Sequence, residues 1–263
     1  MFKVRGLVVA AGLACGLVSQ AHSLELLSNG GFESNDFTGW ERLYWDGSSV
    51  QAGGGTQNAF FEVDSDISPT FGDDSAQASS EGTFFAVSNY QGDGATLLSQ
   101  TFSLAALGIG DTVTVSYDMF VDNNTGQPTA IHADGLDPSV FFGNNIHARV
   151  DLLDTADYLS DPFTTSGVDI LQNFYLGADG GVDNPYSSYL FDISSLVSGG
   201  GNFTLRFANV SNQSHIAQGI DNIRVSLTPA AVPTPEPVTL ALFASGLLGM
   251  ARIRQVKAVV PRK

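Results

Sequence analysis

The sequence predicts an all-β protein whose body is an antiparallel β-sandwich. Three observations carry the prediction. Several windows alternate apolar and polar residues with period two. No long stretch shows the spacing of an amphipathic helix. Glycine, serine, asparagine and aspartate are spread between the windows, where turns need them. One-sided alternation marks a sheet with one face on a core and one on solvent, so about nine or ten short strands of this kind imply two sheets packed face to face. The chain has 263 residues. Roughly 210 of them lie between two apolar ends and suffice for one domain with a sizeable core.

Taken along the chain, residues 58–63, 83–88 and 96–104 are the first, weaker strand candidates. In "DTVTVSYDMFV", Val113, Val115, Tyr117, Met119 and Val121 share one face; Thr112, Thr114, Ser116 and Asp118 share the other. In "IHARVDLL", Ile146, Ala148, Val150 and Leu152 alternate with His147, Arg149 and Asp151. Residues 170–176 and 186–192 follow as weaker strands. A short helix or turn is expected at 192–197, where Asp192 or Ser194 offers a cap and Gly199-Gly200-Gly201 a stop. Phe203, Leu205 and Phe207 then alternate with Thr204 and Arg206. Ile223, Val225 and Leu227 oppose Arg224 and Ser226. Segments 64–82, 122–145 and 154–169 read as long connections, the kind that more often carry function than structure. No internal repeat is found.

Charge sharpens the picture. The net charge is −16, yet all 27 acidic residues fall between Glu25 and Glu236. There the only bases are Arg42, Arg149, Arg206 and Arg224, lysine is absent, and the stretch carries −23. Such a body repels nucleic-acid phosphates and anionic lipid, which argues against nucleic acid as a partner; it could bind cations, but a solubilising surface is the favoured reading. The single cysteine, Cys15, lies in the N-terminal apolar stretch, so the body has no disulfide framework, CxxC pair or thiol nucleophile. Gly12-Leu13-Ala14-Cys15 lacks the aliphatic residue that a lipoprotein signal carries where Gly12 stands.

Both ends read as addresses. Lys3 and Arg5, the apolar run from Leu7 to Val18 and small residues around Ala21 make residues 1–23 a secretory signal helix. The body is then 24–228, followed by a proline-rich linker at 229–237. The uncharged run 238–251 would be a helix of roughly 21 Å, short of the roughly 30 Å of bilayer hydrocarbon. Arg252, Arg254, Lys257, Arg262 and Lys263 follow it. Basic residues after an apolar segment stay cytoplasmic, which places the body outside the inner membrane. Pro235-Glu236-Pro237, the short transmembrane helix 238–254 with Arg252 and Arg254, and the basic tail 255–263 together resemble a PEP-CTERM sorting signal. The same tail pattern is described as an ice-binding protein C-terminal domain, a label for the tail that says nothing of ice. The resemblance implies a membrane protease partner of the exosortase type. It also implies a transient anchor in the inner membrane, and a destination in the cell envelope or exopolysaccharide matrix. A marginal helix suits an anchor held only until cleavage. The competing reading is an ordinary C-terminal anchor.

"LLSNGGFESNDFTGW" near the start of the body and "FDISSLVSGGGNFTLRFANVSNQSHIAQGIDNIRVS" near its end resemble the opening and close of galactose-binding-like jelly rolls, the fold of many carbohydrate-binding modules. The two motifs cover about a fifth of the chain and bear on fold before function. Parity places Asp221 with Ile223, Val225 and Leu227, so its carboxylate is expected to point inward. A buried carboxylate needs a partner. The resemblance implies a structural calcium ion between first and last strands, with Glu33 of "GFE" and Asp221 as ligands beside backbone carbonyls. The alternative is that Asp221 holds turn amides.

No G-x-S-x-G elbow, Walker loop or H-E-x-x-H is present. His22, His132, His147 and His215 lack metal-ligand spacing. Acidic pairs such as Asp64/Asp66 and Asp73/Asp74 are expected by composition alone, although a glycosidase would need two opposed carboxylates. Trp40, Tyr44 and Trp45 in "WERLYWDG" could stack on sugar rings, but core packing is the favoured role for each. The expectation is an exported, non-enzymatic protein. Its body is either a carbohydrate-binding module, with exopolysaccharide as a partner, or a structural matrix protein that binds other proteins. A glycoside hydrolase is the third option.

Overall fold

The computed structural model describes residues 22–53, 61–65, 78–90, 93–123, 127–140, 143–177, 184–213 and 216–231, with Gly246. Contacts divide the chain into a unit His22–Ala230 and a second made of Met1–Ala21 with Ala231–Lys263. The expected signal helix and sorting helix, with Pro235, Glu236, Pro237, Arg252 and Arg254, lie outside the described residues. Among the described residues no helix is long and apolar enough to cross a membrane.

Among the described residues, twelve strands and two short helices make up the first unit. They are β1 (Leu24–Glu25), β2 (Glu41–Trp45), β3 (Val50–Ala52), β4 (Phe61–Asp64), β5 (Phe85–Tyr90), β6 (Gly94–Leu104), β7 (Thr112–Asn123) and β8 (Ile146–Asp154). Then come α1 (Thr155–Ser160), β9 (Ile170–Gly177), β10 (Ser187–Asp192), α2 (Ser194–Val197), β11 (Gly201–Ser211) and β12 (Ile216–Thr228). One sheet has the order β10-β7-β12-β5-β4, with β1 also on β12. The other has the order β3-β2-β6-β11-β8-β9. Every pairing is antiparallel. The chain is thus an all-β antiparallel sandwich.

The alternating residues form the core between the sheets. Val113, Val115, Tyr117, Met119 and Val121 of β7 meet Ile146, Ala148, Val150 and Leu152 of β8 and Phe203, Leu205 and Phe207 of β11. Tyr117 stands edge-on to Phe207 at 5.3 Å and links the two sheets. At α2, the Asp192 carboxylate accepts the Ser194 amide at 2.9 Å, and the Gly200 amide closes the turn onto Val197 O.

Two features depart from the expected pattern. The second sheet is covered on its outer face as well. Leu136, Tyr158 of α1 and Phe163 pack there on Leu43, Ala95, Leu97, Leu153, Ala208 and Val210. His147, Arg149, Asp151, Thr204 and Arg206, which alternation would leave to solvent, are therefore buried. The second departure is a β-bulge in β12. Its register against β7 shifts between Asp221 and Arg224, and Asn222 sits at φ 52°. A bulge inserts one residue and reverses the side-chain parity beyond it. Ile220 and Ile223 therefore both reach the core. Asp221 pairs with Asp118 of β7, two residues from Phe120, which belongs to a separate outer cluster. Asp221 is buried, as expected, but on the outer face of its sheet and not beside Ile223 and Val225.

Candidate functional site

The site is built where the opening loop meets the bulge in the middle of β12. Asn29, Phe32 and Asn35 all take left-handed backbone, which coils residues 29–35 into consecutive turns. Phe32 is buried against Phe37 and Trp40, each with its ring centroid 5.7 Å away. The Trp40 indole donates to the carbonyls of Ser28 and Asn29 at 3.1 and 3.0 Å, so the loop is pinned to the core. It is also pinned to β12, where Gly30 O accepts the Ile223 amide at 2.9 Å. A Cβ at Gly30 would lie 1.9 Å from Ile223 O, so only glycine permits this approach.

Between loop and strand lies a groove of about 380 Å³ lined by Glu25, Glu33, Glu81, Asp221, Asn222 and Arg224, among others. Glu33 and Asp221, distant in sequence, flank Gly31. A Cβ there would stand 3.9 Å from Glu33 Cγ and 3.8 Å from Asp221 Oδ1. Glu33 Oε1 accepts the amides of Thr83 and Phe84 at 2.8 and 2.9 Å. These bonds, Phe84 first, hold its pKa below the usual value. Asp221 Oδ2 accepts from the Glu81 amide at 3.0 Å and Ser80 Oγ at 3.2 Å, and Oδ1 accepts the Asn222 amide at 2.6 Å. Burial nevertheless pushes its pKa up against those donors. Ser80 Oγ also lies 2.7 Å from Asp118 Oδ2, so one hydroxyl bridges two carboxylates. At the rim, Arg224 pairs with Glu81 at 3.3 Å, with both side chains largely exposed.

The structure thus brings the two residues expected to bind calcium into one groove. Their donor set fits calcium in kind, since it is all hard oxygen. Among the described residues no group of three or more His, Cys, Asp or Glu side chains could hold a metal ion. Further ligands would have to be backbone carbonyls and water. Ser80, Glu81 and Asp118 escaped the sequence reading. Their approach depends on the 78–84 segment folding back over β12, and no local signal records that.

The suspected sugar-stacking aromatics form no exposed strip. Trp40 is in the core, and Tyr44 is buried with its hydroxyl on Asp93 O at 3.2 Å. Trp45 is half-buried against Phe163, with centroids 5.5 Å apart.

The covered face of the second sheet holds another polar assembly. Cross-strand registers align Glu41, Ser99, Arg206, Asp151 and Asn173 in one row over five strands. Asp151 receives Arg206 Nη2 at 2.5 Å, Arg149 Nε at 2.6 Å and Asn173 Nδ2 at 2.8 Å. Burial would raise the Asp151 pKa, but Arg206 and Arg149 more than offset this and hold it low. Tyr158 joins the row by donating to Glu41 Oε2 at 2.5 Å beside Ser99 Oγ at 2.7 Å. With Arg206 fully buried, this row holds the structure and is closed to ligands.

No protein-family model matches the chain, and no curated protein does. Solved structures are similar to it at low identity. A structure of TmCBM61 in complex with β-1,4-galactotriose is 11% identical, with 77% of this chain and 97% of that chain covered and a TM-score of 0.43. The CBM22-1 xylan-binding domain from Paenibacillus barcinonensis Xyn10C is 12% identical, with 81% and 98% covered and a TM-score of 0.38. The cyclase Fisc from Fischerella sp. TAU is 15% identical, with 80% and 100% covered and a TM-score of 0.45. The likeness is one of fold. The function of this chain has to be argued from its own residues.

Proposed function

We propose that this chain is an exported, non-enzymatic protein of the cell envelope or exopolysaccharide matrix, whose sandwich binds a neutral carbohydrate in the groove between the opening loop and β12. The groove carries the reading. Its volume of about 380 Å³ falls within the roughly 300–1,000 Å³ of small-molecule sites. Its rim offers both kinds of hydrogen-bonding partner that sugar hydroxyls need. Carboxylates of Glu25 and Glu81 accept, and Arg224 and Asn222 donate. The acidic stretch around it, at −23, repels anionic glycans and favours neutral ones. Glycan-array binding by the full chain tests this. Retained neutral-glycan signal that falls at least about tenfold in Arg224→Ala, roughly 1.4 kcal/mol, is the expected result. Absence of any glycan signal, or full binding by Arg224→Ala, overturns it.

The proposal includes a structural calcium ion held by Glu33 and Asp221, tying the opening loop to the last strand. The ion would supply only charge compensation and a cross-link, with no part in a reaction. Binding to the folded state alone stabilises by about 2.7 kcal/mol at a hundredfold excess over the dissociation constant. The metal-free protein should therefore melt several degrees higher in calcium than in chelator, and equal melting would remove the ion from the reading.

Sorting completes the proposal. The Pro-Glu-Pro motif, apolar run and basic residues at 235–254 support release by a membrane protease of the exosortase type from an inner-membrane anchor.

A further inference from the structure

A sheet edge exposes unpaired backbone N–H and C=O groups, and natural sandwiches blunt their edges with short strands, charges or bulges. Among the described residues, three of the four strands that end the two sheet orders follow the rule. β3 has three residues. β4 carries Glu62 and Asp64 in its four. The pairing of β9 with β8 shifts register twice.

β10 does not follow it. It pairs with β7 through six consecutive residues without a shift, and its other edge has no strand on it among the described residues. It contains no proline, lysine or arginine. Its one charge, Asp192, lies at the last position and is engaged by the amide and hydroxyl of Ser194. Leu190 in its middle is 71% exposed. Tyr189 and Phe191 are half-buried, with near-parallel rings 6.4 Å apart. In an acidic body, this is an edge where two copies can approach without bringing carboxylates together.

The strand is also complementary to itself. In a two-fold antiparallel pair, opposed residues must lie on the same face. Leu190 on the axis satisfies this. It sets Leu190 against Leu190 of the second copy, Tyr189 against Phe191 of the second copy, and Asp192 against the hydroxyl of Ser188 of the second copy. Centring the axis on Phe191 would place Leu190 against Asp192, and centring it on Tyr189 would waste Leu190 on Ser188. We infer that the protein self-associates through β10, with Leu190 at the two-fold axis, so that two six-stranded sheets become one continuous sheet.

Disulfide trapping tests the register. The only cysteine of the chain is Cys15, so Cys15→Ser with Leu190→Cys carries one thiol. Cys15→Ser with Val168→Cys is the control, since Val168 is 87% exposed in the connection before β9. Opposed residues in an antiparallel pair lie within disulfide reach. Mild oxidation of the full chain in detergent micelles should trap a covalent dimer at Leu190→Cys at least about tenfold faster than at Val168→Cys, because the strand pair holds its two thiols together. Light scattering at about 0.1 mM, above the micromolar dissociation constants of modest interfaces, should show a dimer. Leu190→Lys, which places a charge on an exposed position and leaves the fold intact by circular dichroism, should halve that mass. A wild-type monomer, a dimer that persists in Leu190→Lys, or equal trapping at both cysteines each overturns the inference. Protection of the Leu190→Cys thiol by a neutral oligosaccharide in a monomeric protein would assign the edge to a glycan and also overturn it.

Discussion

His147 of β8 is fully buried, and the Ala130 backbone comes no closer to its ring than a weak hydrogen bond. Burial and then Arg149 lower its pKa from 6.5 to about 4, with Asp151 pulling the other way. The unfolded chain therefore takes up a proton at higher pH than the folded protein does. Stability from this group is complete above pH 6.5 and is lost as pH falls through about 4, a change on the order of 3 kcal/mol. His147→Met should flatten the fall in urea midpoint across that window by a corresponding amount. An unchanged slope would mean that the ring is solvated in the folded protein. Asp221 has the opposite sign, because its raised pKa makes the ionised form a liability that grows as pH rises through the folded value. In chelator at neutral pH, Asp221→Asn should melt no lower than the wild type; in calcium the wild type should move ahead. If the two keep the same order in both buffers, Asp221 serves its amide donors alone. Gly30→Ala needs no cofactor to interpret. Its Cβ meets a backbone oxygen that cannot swing away, so a loss of at least about 2 kcal/mol in denaturant midpoints is expected.

Among the elements, the strands that announced themselves are those with one face on the sandwich core. The alternation of Val113, Val115 and Tyr117 is visible because Thr112, Thr114 and Ser116 oppose it. β2 gave no such signal. Leu43 and Tyr44 are neighbours and both are buried, because the covered outer face of the second sheet takes one parity and the inner face the other. The same cover hid the role of Arg206, which reads as a solvent-facing arginine until α1 and residues 161–164 are placed above it. The bulge after Asp221 also left no composition cue beyond Asn222, a residue type that tolerates left-handed backbone. Glu33 and Asp221 were therefore legible as a pair through motif resemblance, while parity gave the right burial for Asp221 from the wrong face. The polar row yields a test at this scale. Arg206→Met removes one of the two guanidinium groups on Asp151 and leaves the carboxylate undercompensated in a dry site, at a cost of about 3–5 kcal/mol. Adding Asp151→Leu should recover part of that loss in urea unfolding. Full additivity of the two changes would show that the residues do not act as a unit.

For the whole molecule, the signals proposed at the two ends make their own prediction. Mass spectrometry of the protein from its native host should find a chain starting near His22 or Leu24 and lacking the C-terminal basic residues, and intact residues 1–263 would refute processing. On the proposed sorting, changing Arg252, Arg254 and Lys257 to glutamate should block C-terminal maturation, because the charge proposed to hold the tail inside is reversed. Normal maturation of that variant would show that the charges are dispensable. The position of β1 has a mechanical consequence. Leu24 lies opposite Leu227 and Glu25 opposite Ser226, so the two ends of the sandwich leave it side by side. Tension between them meets this antiparallel pair end-on and opens it one rung at a time, unlike a shear load that strains every rung together. The first event under load is therefore the peeling of a two-residue strand. The next backbone bonds in line are Leu26 N–H to Val225 O and then the Ile223 amide to Gly30 O, which lies beside the groove. A tethered copy pulled by its ends would release whatever that groove holds well before the long β7–β12 ladder begins to yield.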